Sequence, residues 1–278
     1  MRFEKWQALG NDYVIIEADE LPWSLNPERI RAICRPHLGV GADGILLLSP
    51  AAEAEAIARV QIFNPDGSEA ELSGNGVREA VMYLRRHSWT DRDTFTVITA
   101  AGPITPTVLD TERCAVAMGR AAVTSPDNPD GGSDGRGRLV AGGREWEFQH
   151  VAVGNPQCAI AVGGDELEQL PIAEFGAEIE RHQFFPNRTN VSFYRAEGSR
   201  VRARIFERGV GETLSSGTGA CGAAVAAHLA GAPDRLTVEL DGGELEVEIG
   251  ADLELTLTGW AKPVYAGRLS DEMIAALA

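Results

Sequence analysis

Apolar and polar positions alternate with a period of two across residues 95–99, 236–240 and 253–257, the mark of strands buried on one face. Helical spacing appears elsewhere. After Ser73 the apolar residues Val77, Ala80, Val81 and Leu84 fall on one helical face. After Ser216 the chain runs Ala220-Cys-Gly-Ala-Ala-Val-Ala-Ala-His-Leu-Ala230, small or apolar nearly all round, which predicts a helix enclosed on every side. Asn26-Pro27-Glu28 reads as a helix opening: a capping side chain, Pro at the first helical position, then an acid at the positive end of the dipole.

These elements repeat. Arg59-Val-Gln-Ile-Phe63-Asn64 resembles Arg202-Ala-Arg-Ile-Phe206-Glu207, Glu69 matches Glu212, and Ser73-Gly-Asn-Gly76 matches Ser216-Gly-Thr-Gly219, all at one offset of 143 residues. Gly10-Asn11 and Gly154-Asn155 follow at an offset of 144. An ordered series at nearly constant spacing indicates an internal duplication. The fold class expected is α+β: two pseudo-symmetric duplicated lobes, each a strand-rich sheet wrapped around a central helix. The boundary is placed near residue 118, giving lobes 1–118 and 119–278, with the C-terminal tail free to pack back on the first. The Gly/Asp/Pro-rich run at 125–137 reads as an exposed linker, or as a hairpin loop inside the second lobe.

The paired helix starts are the candidate site. A helix N-terminus offers unpaired N–H groups and a positive dipole end to an anion, and glycines in its first turn let a ligand approach the backbone. Taken singly, each serine is explained as an N-cap. Taken as a pair, they suit a reaction that needs one group on each face of a carbon, such as racemisation or epimerisation: one residue takes the α-proton while its counterpart supplies another. On this reading the ligand lies between the two starts, its carboxylate on the N–H groups.

Composition narrows the alternatives. A formal net charge of −16 over 278 residues argues against nucleic acid and anionic membrane as partners. Cys34, Cys114, Cys158 and Cys221 form no C-x-x-C pair, which disfavours a disulfide framework or zinc site and fits a reducing cytoplasm. The N-terminus lacks a signal-peptide pattern, and no segment approaches the length of a membrane span. Gly39-Val-Gly41-Ala-Asp-Gly44 matches G-x-G-x-x-G but runs into Ile45-Leu-Leu-Leu48, a strand-like segment, so it reads as a turn and not a dinucleotide site. No P-loop sequence is present, the five histidines show no metal-ligand spacing, and the five tryptophans form no stripe. No metal or cofactor is expected.

At this point the chain resembles the diaminopimelate epimerase family, pyridoxal-independent amino-acid epimerases. The resemblance runs nearly end to end through Gly10-Asn11-Asp12, Gly39-Val-Gly-Ala-Asp-Gly44, Phe63-Asn64-Pro-Asp-Gly-Ser-Glu69, Gly74-Asn75-Gly76, Gly154-Asn155-Pro156 and Asn190-Val191. It ends in Glu207-Arg-Gly-Val-Gly-Glu-Thr-Leu214 with Ser216-Gly-Thr-Gly219. It implies a cofactor-independent, two-base interconversion of LL- and meso-diaminopimelate in the lysine and peptidoglycan precursor pathway. It also implies that Asn64, Asn155, Asn190 and Arg208 hold the substrate's distal carboxylate and that Glu207 lies near its distal ammonium. Asn11 would orient the reacting end, and Gly74, Asn75, Gly217 and Thr218 would receive the α-carboxylate. A homodimer is suggested by the resemblance alone.

The departures fall on the chemistry. The family's acid and base are a cysteine pair, and both positions are serine here, Ser73 and Ser216. A thiol ionises near pH 8.5 and more readily at a helix start, whereas a serine hydroxyl needs a neighbouring base, and the adjacent residues in sequence offer none. Gln157 stands where the family has histidine, and Glu79 where it often has a second cysteine. Three readings follow: an active epimerase or related isomerase with another substrate; a diverged or inactive homologue that binds a diamino acid without efficient epimerisation; or a Cys→Ser variant, against which Gln157 and Glu79 speak.

Overall fold

The computed structural model describes residues 1–128 and 131–278. They form two compact units, Met1–Val116 with Gly259–Ala278, and Ala117–Thr258. In the first unit, β1 (Arg2–Ala8) and β2 (Asn11–Glu17) make a hairpin. The helix α1 (Pro27–Cys34) opens as the sequence predicts, with the Asn26 side chain accepting the Arg29 N–H at 2.9 Å. It leads to β3 (Gly44–Pro50), which runs parallel to β2. β4 (Ala56–Phe63) returns antiparallel and carries the short β5 (Glu69–Ala70) at its end. The helix α2 (Gly74–Arg86) then crosses to β6 (Thr96–Thr99), parallel to β4, and β7 (Gly102–Ile104) follows. The final strand, Lys262–Arg268, pairs with β1 at the opposite edge. α2 packs across β1 to β4, and the apolar residues Val14, Ile16, Ile30, Ile33 and Ile45 build a core beneath α1.

After β8 (Thr107–Val108), β9 (Arg113–Arg120) carries the chain from the first unit into the second. There β10 (Arg136–Ala141), β11 (Arg144–Ala152) and β12 (Pro156–Ala161) pair in sequence. The helices α3 (Glu166–Gln169) and α4 (Ile172–Glu180) precede β13 (Asn190–Glu197), parallel to β12. β14 (Arg200–Glu207) is antiparallel to β13 and pairs with β15 (Gly211–Thr213). The helix α5 (Gly217–Leu229) crosses to β16 (Arg235–Leu240), parallel to β14, and β17 (Gly243–Ile249) and β18 (Glu254–Trp260) complete the run. The described part of the Gly/Asp/Pro-rich run is a loop that enters β10, while Pro129 and Asp130 lie outside the described residues.

The duplication is visible down to strand register. Phe63 pairs with Glu69 and Ile62 with Ala70 in one unit, Phe206 with Glu212 and Ile205 with Thr213 in the other. Each pair is the other shifted by the same 143 positions, and α2 and α5 are both 13 residues long. In both, a strand, a short return strand, a buried helix and a parallel strand follow one another. Burial explains the composition of α5: Gly219 to Ala227 are all buried, and an added Cβ at Gly219 would come within 2.7 Å of Ile205. Two predicted strand limits shift slightly: Phe95 precedes β6, and Leu253 sits at φ 61° just before β18, outside the extended region. Among the described residues no helix is long and apolar enough to cross a membrane.

α4 was not apparent in the sequence. It packs on β14 through Gly176, where an added Cβ would lie 2.5 Å from the Phe206 ring. Gly176→Ala should therefore force α4 and β14 apart and destabilise the protein by about 1–3 kcal/mol. A urea midpoint followed by circular dichroism checks this, and an unchanged midpoint contradicts it.

Candidate active site

Each duplicated helix begins on a serine in extended conformation, Ser73 at φ −137° and ψ 119°, Ser216 at φ −145° and ψ 121°. Each Oγ accepts the N–H three residues on, Gly76 at 3.1 Å and Gly219 at 3.2 Å. Both serines are therefore N-caps in fact, which fixes their hydroxyls at the mouth of a buried helix. The first-turn amides beyond each cap have no carbonyl one turn back to pair with, a feature suited to receiving an anion.

In the first unit a chain of polar side chains supports the α2 start. Arg78, fully buried, donates to the Gly74 backbone carbonyl at 3.2 Å and to the Asn75 side-chain Oδ1 at 2.5 Å. Asn75 donates to Asn11 at 3.2 Å, and Asn11 to Asp43 at 2.9 Å. Asn11, Ser73, Gly74 and Asn75 thus form one group. Asn64 sits apart, in a turn where its side chain donates to Ser68 at 2.9 Å. The sequence reading missed Arg78 and Asp43. Asp43 lies in the Gly-rich motif, whose role here is a turn: the Asp43 N–H bonds Asp12, and Asp43 in turn accepts the Asp12 N–H.

The second unit gathers the remaining residues. Asn155 donates to the Thr218 hydroxyl at 3.3 Å and accepts from Gln157 at 2.5 Å. Asn190 donates to the Pro156 carbonyl and accepts the Arg208 N–H at 2.8 Å. The Arg208 guanidinium bonds the Asn187 carbonyl at 3.1 Å. The loop is anchored from below by buried Glu180, which accepts the Gly209 N–H at 2.7 Å.

Glu207 changes the chemistry of this group. Burial pushes its carboxyl up, against the opposing influence of the Ser216 and Thr213 hydroxyls beside it. No residue adjacent to Ser216 in the chain is a base, but Glu207, at the end of β14, lies beside it. No cysteine substitutes for the missing thiols. All four are buried and free of disulfides, and burial pushes Cys34 and Cys114 up to about 12. Among the described residues no three His, Cys, Asp or Glu side chains come together as a metal site.

With this geometry in view, the comparisons with known proteins are decisive. The family model for diaminopimelate epimerase matches residues 3–124 and 150–264. The chain belongs to the diaminopimelate epimerase family. It is 37% identical to diaminopimelate epimerase 2 of a Nostoc species over 99% of this chain and 98% of that one. It is 35% identical to the diaminopimelate epimerase of Halothermothrix orenii, covering 97% and 98%. Among solved structures it resembles a hydroxyproline epimerase from Agrobacterium vitis (TM-score 0.66, 17% identity, 97% and 90% covered). It also resembles a phenazine biosynthesis protein of the PhzF family from Bacillus anthracis (TM-score 0.67, 17% identity, 97% and 99% covered). These likenesses show a shared fold.

Glu79, on α2 where the family often carries a cysteine, is fully buried, and neither carboxyl oxygen has a hydrogen-bond partner. Burial drives it well above the ordinary 4.5, against the pull of adjacent Arg78. A carboxyl whose folded pKa is raised stabilises the fold fully below its unfolded pKa, and that contribution is lost as pH rises toward the folded value. Glu79→Gln should therefore raise Tm at pH 8, with the gain shrinking toward pH 4.5. Equal gains at both pH values, measured by calorimetry, would contradict a neutral Glu79.

Proposed function

We propose that this protein is a cofactor-independent amino-acid epimerase acting at the α-carbon of a diaminopimelate-type diamino dicarboxylate. The observation that carries the reading is the equivalence of two serine-capped helix starts, one of them beside a carboxyl whose pKa burial raises. Family membership and near-complete coverage of diaminopimelate epimerases support the substrate class.

Ser216 Oγ takes the α-proton while its own proton passes to Glu207, so the carboxylate is the net base. Ser73, its counterpart in the duplication, is the second proton-transfer group, and in the reverse reaction the two exchange roles. Negative charge developing on the α-carboxylate is met by the first-turn amides at Gly74, Asn75, Gly217 and Thr218, whose dipoles are set before the substrate arrives. Asn11 orients the reacting end through its bonds to Asn75 and Asp43. Arg208 with Asn64, Asn155 and Asn190 serves the distal carboxylate, since a guanidinium flanked by amide donors suits that group. A soluble, cytoplasmic enzyme working as a homodimer completes the proposal.

A second reading, a diamino-acid-binding homologue without turnover, rests on the absence of both thiols. It predicts calorimetric binding of diaminopimelate without chemistry.

Incubation with LL-diaminopimelate in deuterated water separates the two. The epimerase reading expects α-deuterium to enter faster than in a protein-free blank. The rate should fall at acid pH through a pKa above the ordinary 4.5, and that acid limb should disappear in Glu207→Gln. No exchange above the blank at any pH sinks the reading.

A further inference from the structure

An asparagine amide has an oxygen on one side and an N–H pair on the other, and its neighbours decide which way round it sits. In the first unit that choice is made by the two ends of one hydrogen-bond chain. Arg78 donates to Asn75 Oδ1 at 2.5 Å, Asn75 Nδ2 to Asn11 Oδ1 at 3.2 Å, and Asn11 Nδ2 to the Asp43 carboxylate at 2.9 Å. A guanidinium can only donate and a carboxylate can only accept, so the chain runs in one direction. Among the described residues the half-exposed Asn11 side chain makes no other hydrogen bond, which leaves its second N–H for a ligand. We infer that Arg78 and Asp43 are positioning residues that lock Asn11 as a donor, so that the group it takes at the reacting end is an oxygen acceptor, as the α-carboxylate offers and the ammonium does not. The inference rests on the epimerase reading above and deepens it.

Both ends of the chain are built in by the fold. Arg78 lies one turn beyond Gly74 and Asn75 on α2 and is fully buried. Its second donation, to the Gly74 carbonyl at 3.2 Å, fixes the fork of its guanidinium. β2 and β3 run parallel with Tyr13 opposite Gly44, so Asn11 and Asp43 meet at the same end of neighbouring strands. There the Asp12 N–H donates to the Asp43 carboxylate at 3.0 Å, and the Asp43 N–H donates to the Asp12 carboxylate at 3.0 Å. Lys5 pairs with Asp12 at 2.8 Å and balances the charge gathered on that side. Turning Asn11 round would set its oxygen against the Asp43 carboxylate and its N–H pair against that of Asn75. Turning Asn75 as well would only move the second clash to Arg78.

Asp43→Ala removes the accepting end. The apparent dissociation constant of LL-diaminopimelate, measured by calorimetry, should rise about tenfold, the worth of a hydrogen bond from Asn11 to a charged carboxylate. In Asp43→Asn a side-chain oxygen can still accept, and most of the affinity should return. A second background separates positioning from a merely structural role. In an Asn11→Ala chain, Asp43→Ala should cost no further affinity, because the amide through which it acts is gone. The same tenfold loss in both backgrounds overturns the inference. The direction of the chain is read without a ligand, by neutron diffraction from crystals grown in heavy water. The deuterated nitrogen of Asn11 should face Asp43, and finding the oxygen there overturns the inference. Failure of the unaltered protein to bind diaminopimelate would count against the epimerase reading, whereas the neutron map decides the direction of Asn11 independently.

Discussion

A single hydrogen bond, made twice, organises the site: the amide of Gly76 to the Ser73 hydroxyl, and that of Gly219 to the Ser216 hydroxyl. Both helices are buried along most of their length while Gly74, Gly217 and Thr218 at their starts stay half-exposed, so the first-turn amides are open to an acceptor or an anion. A capping hydroxyl satisfies one of them and leaves the others for a carboxylate. Capping and function are therefore one geometry. Removing either hydroxyl would disturb the helix start and the chemistry together, which is why the two roles need readouts that separate them.

Once the caps are fixed, the partners of the two hydroxyls determine their behaviour. Glu207, at the end of β14, lies against Ser216, while Tyr13, on β2, donates to Ser73. A thiol placed at a helix start ionises without such help. A hydroxyl there depends on it. The same duplication that made the helix starts alike has thus been given unlike surroundings, a carboxyl beside one serine and a phenol beside the other. Around them, Arg78, Asn75, Asn11 and Asp43 in one unit, and Gln157, Asn155 and Thr218 in the other, hold the first helical turns by side-chain hydrogen bonds.

The parts of this arrangement that repeat along the chain were legible in it. The constant offset anticipated two helices of equal length and two matching strand registers, because a duplication conserves spacing as well as residue type. The small-residue stretch after Ser216 signalled enclosure, since only such a helix fits beneath a close-packed sheet. What stayed hidden was non-local. Glu207 and Ser216 are separated by a return strand, and Tyr13 and Ser73 by 60 residues, so neither contact leaves a periodic trace. In the sequence Glu79 was notable only for standing where the family often has a second cysteine. Its burial reflects the sheet packed around α2, which no local pattern encodes.

On the proposed reading, Ser73 and Ser216 stand at the two proton-transfer positions of an amino-acid epimerase. Thiols at both positions should restore the more acidic groups to an otherwise intact site. In the double variant Ser73→Cys, Ser216→Cys, inversion of LL-diaminopimelate to the meso isomer is expected to accelerate about a hundredfold or more. A correctly folded double variant that binds the substrate but shows no gain over the unaltered chain would contradict the account.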